Sequence, residues 1–311
     1  MSGTKKAVIA ALIGNFSIAI FKFIAAILGQ SSAMLAEAYH SLSDTLNQVL
    51  LLIGISRSTK RPDKLHPYGY GKVQFFYAFI VAMLLFGGAG ILSLREGIIK
   101  IFHPEPLLHL PLIIISLTLG FFFDLYSLYL GMRELREEMK ESDYQTIFQA
   151  MKESKDPTVL AVIFEDSLAM ISVLIAGCSI FLSYKYNNPL FDALGSIIIG
   201  VLLMTFAVIL ATEIKKLLVG ESVSEKKRGK LLQAISKAKY VNQIVDLKTM
   251  HLSPEQVMVT TEVNLEDGLT TNQVERTIIS IEKNIKKVFP RAICYTEVTD
   301  VHFLTKAPRK K

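Results

Sequence analysis

The stretch MLAEAYHSLSDTLNQVLLLIGI, residues 34–55, decides the fold. It reads as an apolar run long enough to cross a bilayer, since about 20 helical residues span the hydrocarbon core, and it carries His40 and Asp44 near its middle. On a helix these two are i and i+4, so imidazole and carboxylate share one face. An ionisable pair at that depth is costly unless it is paired, hydrated or bound to a cation, which makes it a candidate functional site. The remaining spans are then expected to supply its missing partners.

Working outward, 51% of the 311 residues are hydrophobic and the mean hydropathy is +0.39. With several apolar stretches of about 20 residues, this composition argues against a soluble globule and for a multi-pass membrane protein. The first apolar run, residues 7–29, is too long for a signal-peptide core and is expected to be a retained span. The two cysteines, Cys178 in an apolar run and Cys294 in the polar tail, are too few and too far apart for a disulfide framework or a thiolate metal site. A net charge of +6, taken alone, suggests an anionic partner. Much of the excess flanks membrane spans, however, so orientation explains it more cheaply, and no nucleic-acid partner is expected.

Six spans follow, at residues 7–29, 34–55, 73–94, 107–132, 158–184 and 189–213. An even number leaves both ends on one side. Lys5, Lys6, Arg57, Lys60, Arg61, Lys64, Lys72, Lys215 and Lys216 all fall on that side, whereas the opposite loops hold scattered charges such as Lys100 and Lys185. By the positive-inside rule both termini are cytoplasmic, and the expected location is a prokaryotic inner membrane.

Residues 133–157, with Arg133, Glu134, Arg136, Glu137, Glu138, Lys140 and Glu141 in quick succession, read as a solvated helical connection that Asp156-Pro157 ends. A six-span membrane domain is therefore drawn over residues 1–213, and a cytoplasmic tail over 214–311. In the tail, residues 226–238 read as helix, 244–252 and 256–265 as strands, 272–289 as helix and 293–303 as a strand. This αββαβ order predicts a small α+β domain.

The fifth span carries Glu165-Asp166-Ser167. Two adjacent carboxylates in a bilayer repel one another if both are ionised without a cation. Neighbouring helical residues lie about 100° apart, so Asp166 is taken as the ligand facing the second span, with the longer Glu165 as an auxiliary. Asn47, i+3 from Asp44, lies on the same stripe and can donate oxygen or orient an imidazole. One imidazole, two or three carboxylates and no thiolate fit tetrahedral Zn²⁺ and are acceptable to Mn²⁺, Co²⁺ or Fe²⁺; nothing calls for an organic cofactor. The competing reading is that these groups only join helices by hydrogen bonds. Asp124 in the fourth span is either a proton relay or structural, and Asp192 near one end of the sixth is read as structural.

Together, the six spans, His40-Ser-Leu-Ser-Asp44, the acidic motif of the fifth span, His66-Pro-Tyr-Gly-Tyr-Gly-Lys72 and the αββαβ tail resemble the cation diffusion facilitator family. The resemblance implies a homodimer in the lipid membrane, exporting divalent metal, most often zinc, in exchange for protons. It also implies a ferredoxin-like, metallochaperone-like tail. Where the family's common zinc pattern has His or Asp four residues before the Asp of the fifth span, this chain has Val162. The run from Val162 to Ser167 resembles instead the branch containing the ninth animal zinc transporter, with Glu165 standing in for the lost ligand. Asp63 and His66 match two ligands of a second zinc site found in some members, but Tyr70 replaces the third. At the positions of the family's binuclear tail site stand Val245, Thr261, Tyr295 and Glu297, of which Glu297 alone can ligate; His251, Asp300 and His302 remain as local donors.

Two further function classes stay open, a membrane metal sensor and an organic cation–proton exchanger. An enzyme is not expected: there is no His-Glu-x-x-His, no Ser or Cys with a partnered base and no Gly-rich phosphate loop.

Overall fold

The computed structural model describes residues 2–142 and 157–300. Its helices are α1 (Ser2–Gly29), α2 (Ser32–Ser58), α3 (Lys72–Leu84), α4 (Leu92–Phe102), α5 (Leu110–Ser142), α6 (Pro157–Tyr186) and α7 (Leu190–Val219). A π-helical turn, Leu85–Ile91, joins α3 to α4, so the third span runs without a break over Lys72–Phe102. The tail follows as α8 (Glu225–Ser236), β1 (Val241–His251), β2 (Val257–Leu265), α9 (Thr271–Val288) and β3 (Ile293–Val298).

Five helical stretches are long and apolar enough to cross a membrane among the described residues: Leu12–Gly29, Lys72–Phe102, Leu110–Leu130, Glu165–Tyr186 and Leu190–Val219. The second of the six expected spans, α2, stands apart in composition. α2 has 27 residues, the length of a span, but it does not belong to that apolar set. Its polar side chains account for this: Ser32, Glu37, His40, Ser43, Thr45 and Asn47 are buried, so α2 turns them inward. On α1, Ile13, Phe16, Ile20, Ile24 and Ile27 stay exposed at three- and four-residue steps, while Ala19, Lys22, Ala25 and Ala26 are buried. That exposed stripe suits lipid contact, since apolar side chains in a bilayer lose nothing by facing out.

The helices approach closely through small residues, as membrane helices do when van der Waals contact replaces the hydrophobic drive. Gly90 in the π turn backs onto α7, where an added Cβ would meet Met204 Cγ at 2.5 Å. Gly200 on α7 backs onto α4, where a Cβ would meet the Leu94 nitrogen at 2.6 Å. α5 packs against α1 and α6, and continues as helix through the first part of the charged connection, to Ser142. Residues 143–156 lie outside the described residues, and α6 starts at Pro157, whose missing N–H costs nothing in a first turn.

The chain divides into two compact units, residues 1–57 with 73–215, and residues 58–72 with 216–311. The sequence reading had kept the 58–72 segment with the spans; it groups with the tail, and Tyr68 reaches Tyr295, hydroxyl to hydroxyl, at 3.4 Å. β1 and β2 pair antiparallel and β2 and β3 parallel, in the order β1-β2-β3. Along β2, Val257, Val259, Thr261, Val263 and Leu265 are buried while the alternate residues are not, and the buried set forms a core with Leu231, Ile235, Ile281 and Ile285 of the two helices. Only one sheet face is thus filled by helices. β3 ends at Val298, short of the predicted 303; residues 301–303, with His302, lie outside the described residues.

Candidate metal site

His40, Asp44 and Asn47 project from one stripe of α2, as their spacing requires. His40 Nδ1 stands 3.3 Å from Asp44 Oδ1, but neither this pair nor His40 Nε2 is aligned as a hydrogen bond, and Asn47 Oδ1 is likewise buried without a hydrogen-bond partner. Buried polar groups are rarely left so, and with Ser43 Oγ five such atoms lie within two helical turns.

α6 supplies the two carboxylates and α5 holds one of them. Asn47 Nδ2 donates to Glu165 Oε1 at 2.9 Å, whereas Ser127 Oγ of α5 stands 3.1 Å from both oxygens of Asp166. The sequence reading had turned Asp166 towards α2 and kept Glu165 as the auxiliary; the hydrogen bond to α2 is made by Glu165. Asp44, Glu165, Asp166 and Asp124 all line one cavity of about 60 Å³, together with Ser41, Gln48 and Ser127. His40 lies behind that wall through its contact with Asp44. Among the described residues no three His, Cys, Asp or Glu side chains form a group set to hold a metal ion, so gathering these carboxylates round an ion takes rotamer changes.

Sequence reasoning missed Lys22 and Glu37. Lys22 Nζ lies 3.1 Å from Glu37 Oε2 and 3.7 Å from Asp124 Oδ2, and donates to Ser41 Oγ at 2.8 Å. The signal was present, since a lysine inside the apolar run 7–29 calls for a partner. Lys100 and Asp192, taken as a far-side charge and a helix-end residue, form a second buried ion pair at 2.7 Å. Asp192 also accepts from Ser31 Oγ at 2.6 Å and from the Ser32 amide at 2.7 Å. It thus caps the start of α2 from α7, where a carboxylate meets the positive end of the helix dipole.

In the 58–72 segment, Asp63 is committed to its own turn. Its Oδ1 accepts from the amides of Leu65 at 3.0 Å and His66 at 2.8 Å, and its Oδ2 accepts from the Tyr70 hydroxyl at 2.6 Å. The Tyr70 bond, followed by the His66 amide, holds the Asp63 carboxyl down at about 2. His66 stacks against Tyr70, ring centroids 4.2 Å apart. In the tail, Thr261 is buried, Tyr295 is exposed and Glu297 faces Glu262 across the β2–β3 register. His251 is buried at the end of β1, and neither it nor Asp300 forms a three-ligand group among the described residues.

A family profile described as the cation efflux transmembrane domain matches residues 8–219. The chain belongs to the cation efflux family. It is 31% identical over 271 residues to a mouse protein named as a mitochondrial proton-coupled zinc antiporter, SLC30A9, covering 87% of this chain and 48% of that one. It is 32% identical over 270 residues to the human protein of the same name, covering 86% and 47%. With metal tolerance protein C4 of Arabidopsis thaliana it shares 28% over 275 residues, covering 88% and 60%. The chain therefore spans about half the length of the animal relatives it matches. Among solved structures, the nickel form of a MamM C-terminal domain aligns with 24% of this chain and 96% of its own, at a TM-score of 0.23 and 9% identity, a likeness too slight to support an argument.

Proposed function

We propose that this protein is a divalent cation exporter, with Zn²⁺ as the first-choice ion, that exchanges metal for protons at the site between α2 and α6. The observation that carries the reading is the set of buried, unbonded polar atoms on His40, Asp44 and Asn47, beside a cavity walled by three further carboxylates. Such a cluster is costly unless a cation completes it. Asp44, Glu165 and Asp166 are the proposed carboxylate ligands, His40 the imidazole ligand and Asn47 the residue that holds Glu165. Asp63 and His66 are left out of the ion's path, because the turn already uses Asp63.

Metal ligands must be deprotonated, so loading from the cytoplasm releases protons and unloading favours their uptake. Exchange then follows from competition at one site. A cavity of about 60 Å³ holds an ion with a few waters, which favours an inorganic cation over an organic one. Mn²⁺, Co²⁺ and Fe²⁺ suit the same oxygen-rich donors. The relatives named as zinc antiporters support zinc. We further propose a homodimer embedded in lipid with both termini cytoplasmic, in a prokaryotic inner membrane, with the spans within residues 1–213 carrying transport and residues 214–311 forming the tail.

Proteoliposomes with a trapped pH dye and an external Zn²⁺ step test the proposal. Zinc entry coupled to proton exit is expected, with no response to tetraalkylammonium; zinc binding without transport would make the protein a sensor.

A further inference from the structure

Lys22 is 1% exposed and is the one charged residue of the span Leu12–Gly29, and its ammonium faces two carboxylates from two other helices. Glu37 of α2 is the near one at 3.1 Å, and Asp124 of α5 the far one at 3.7 Å. Glu37 is wholly buried and does not line the cavity, whereas Asp124 forms part of its wall beside Asp44, Glu165 and Asp166. The same carboxylate therefore faces a fixed cation on one side and the proposed ion's chamber on the other. The shorter contact makes Glu37 the anchor of Lys22, and the longer one makes Asp124 the partner that can exchange.

We propose that Lys22 is a specificity-determining residue for the transported ion: its ammonium competes with that ion for Asp124. The inference rests on the reading of His40, Asp44, Glu165 and Asp166 as the ion site. Away from water, charges a few ångströms apart interact far more strongly than in solvent, so a tethered ammonium holds Asp124 back from the ion and reduces the negative charge the ion meets. Two consequences follow. The ion leaves more easily, which a transporter needs as much as binding. The donor set also keeps a higher share of imidazole to carboxylate, which suits zinc, whereas an added carboxylate suits Mn²⁺. The competing role is a mere clamp joining α1, α2 and α5.

The test is calorimetric binding of Zn²⁺ and Mn²⁺ to the purified full chain, read as a double-mutant cycle. The neutral pair Lys22→Met/Glu37→Gln replaces a buried ion pair without leaving one charge alone. In that background the Mn²⁺ Kd should fall at least tenfold, with a smaller change for Zn²⁺, and Asp124→Asn should reverse most of the gain. The Asp124→Asn effect in the wild-type background should be at least tenfold smaller. Equal Asp124→Asn effects in the two backgrounds, or unchanged Kd values with only a lowered melting temperature, would mean a clamp and overturn the proposal. If the neutral pair does not fold, Lys22→Arg, which keeps the charge, must retain the wild-type ratio of Zn²⁺ to Mn²⁺ affinity; a tenfold change in that ratio also overturns it. Asp44→Ala serves as the separate arm: undiminished ion binding there refutes the underlying site, and the proposal with it, whereas the Asp124→Asn cycle tests Lys22 alone.

Discussion

Asn47 on α2 donates its side-chain N–H to Glu165 on α6 at 2.9 Å, and both residues are buried. One amide thus joins the two helices that carry the proposed ligands. Removing it leaves the Glu165 carboxyl buried and unpaired, which costs about 1–3 kcal/mol. Asn47→Ala should therefore lower the melting temperature in detergent by several degrees and weaken zinc binding, without abolishing it. An unchanged melting temperature would show that water replaces the amide at no cost.

Asp44 and Asp166 line the cavity from different helices. Asp44→Ala and Asp166→Ala should each abolish zinc uptake in vesicles, and Asp44→Ala should remove the zinc carried through purification, while gel filtration stays normal. In the wild type, zinc affinity should fall as pH drops from about 7.5 to 5.5, because protons compete with the metal for the same donor atoms. A flat affinity over that range refutes proton competition, and a folded Asp44→Ala that still transports refutes the site.

Val162 stands one helical turn before Asp166 on α6. A histidine at this position lies on the same face. Val162→His should add an imidazole donor and shift competition uptake towards zinc over manganese by about tenfold or more. No shift would mean that Glu165 already fills that corner.

Tyr70 donates to Asp63 at 2.6 Å, and this bond is the leading reason its carboxyl sits at about 2. Because that value lies below the ordinary one of about 3.9, the turn is favoured above pH ~4 and loses this support only as pH falls towards 2. Across pH 5–8 it should be insensitive to acid. Tyr70→Phe should raise the Asp63 titration midpoint, followed by carboxyl carbon NMR. Zinc added to the wild type should leave the His66 resonances in place; their shift at stoichiometric zinc would restore the loop as a metal site.

The tail has its own core, built on Leu231, Ile235, Val257, Val259, Ile281 and Ile285, and helices cover one sheet face. A fragment of residues 221–311 should sediment as a dimer with or without EDTA and carry little zinc, since few ligands remain there. A dimer that dissociates only on chelation would mean that Glu297, His251, Asp300 or His302 bridges two copies.

The α2 pair and the tail were legible because each obeys a local rule. His40 and Asp44 share a face whatever surrounds them, and the two-residue alternation in Val257, Val259, Thr261 and Val263 marks a half-buried strand. Hydropathy was less reliable for α2 itself, since averaging around a helix cannot tell polar residues that line an interior from those that face water. The charged partners were harder still. Lys22 was visible as an ionisable residue in an apolar run, but its partners sit 15 and 102 positions away, at Glu37 and Asp124.

The sequence by itself determined the membrane class, the α2 stripe of His40, Asp44 and Asn47, the acidic step on α6 and the αββαβ tail, because periodicity and composition act over one or two turns. Only the tertiary structure decided that Glu165 rather than Asp166 reaches α2, that Lys100 and Asp192 pair in the interior, and that Asp124 stands between Lys22 and the cavity. Those outcomes depend on how far each helix is rotated about its axis and on the reach of individual side chains. Both are settled by packing among residues far apart in the chain.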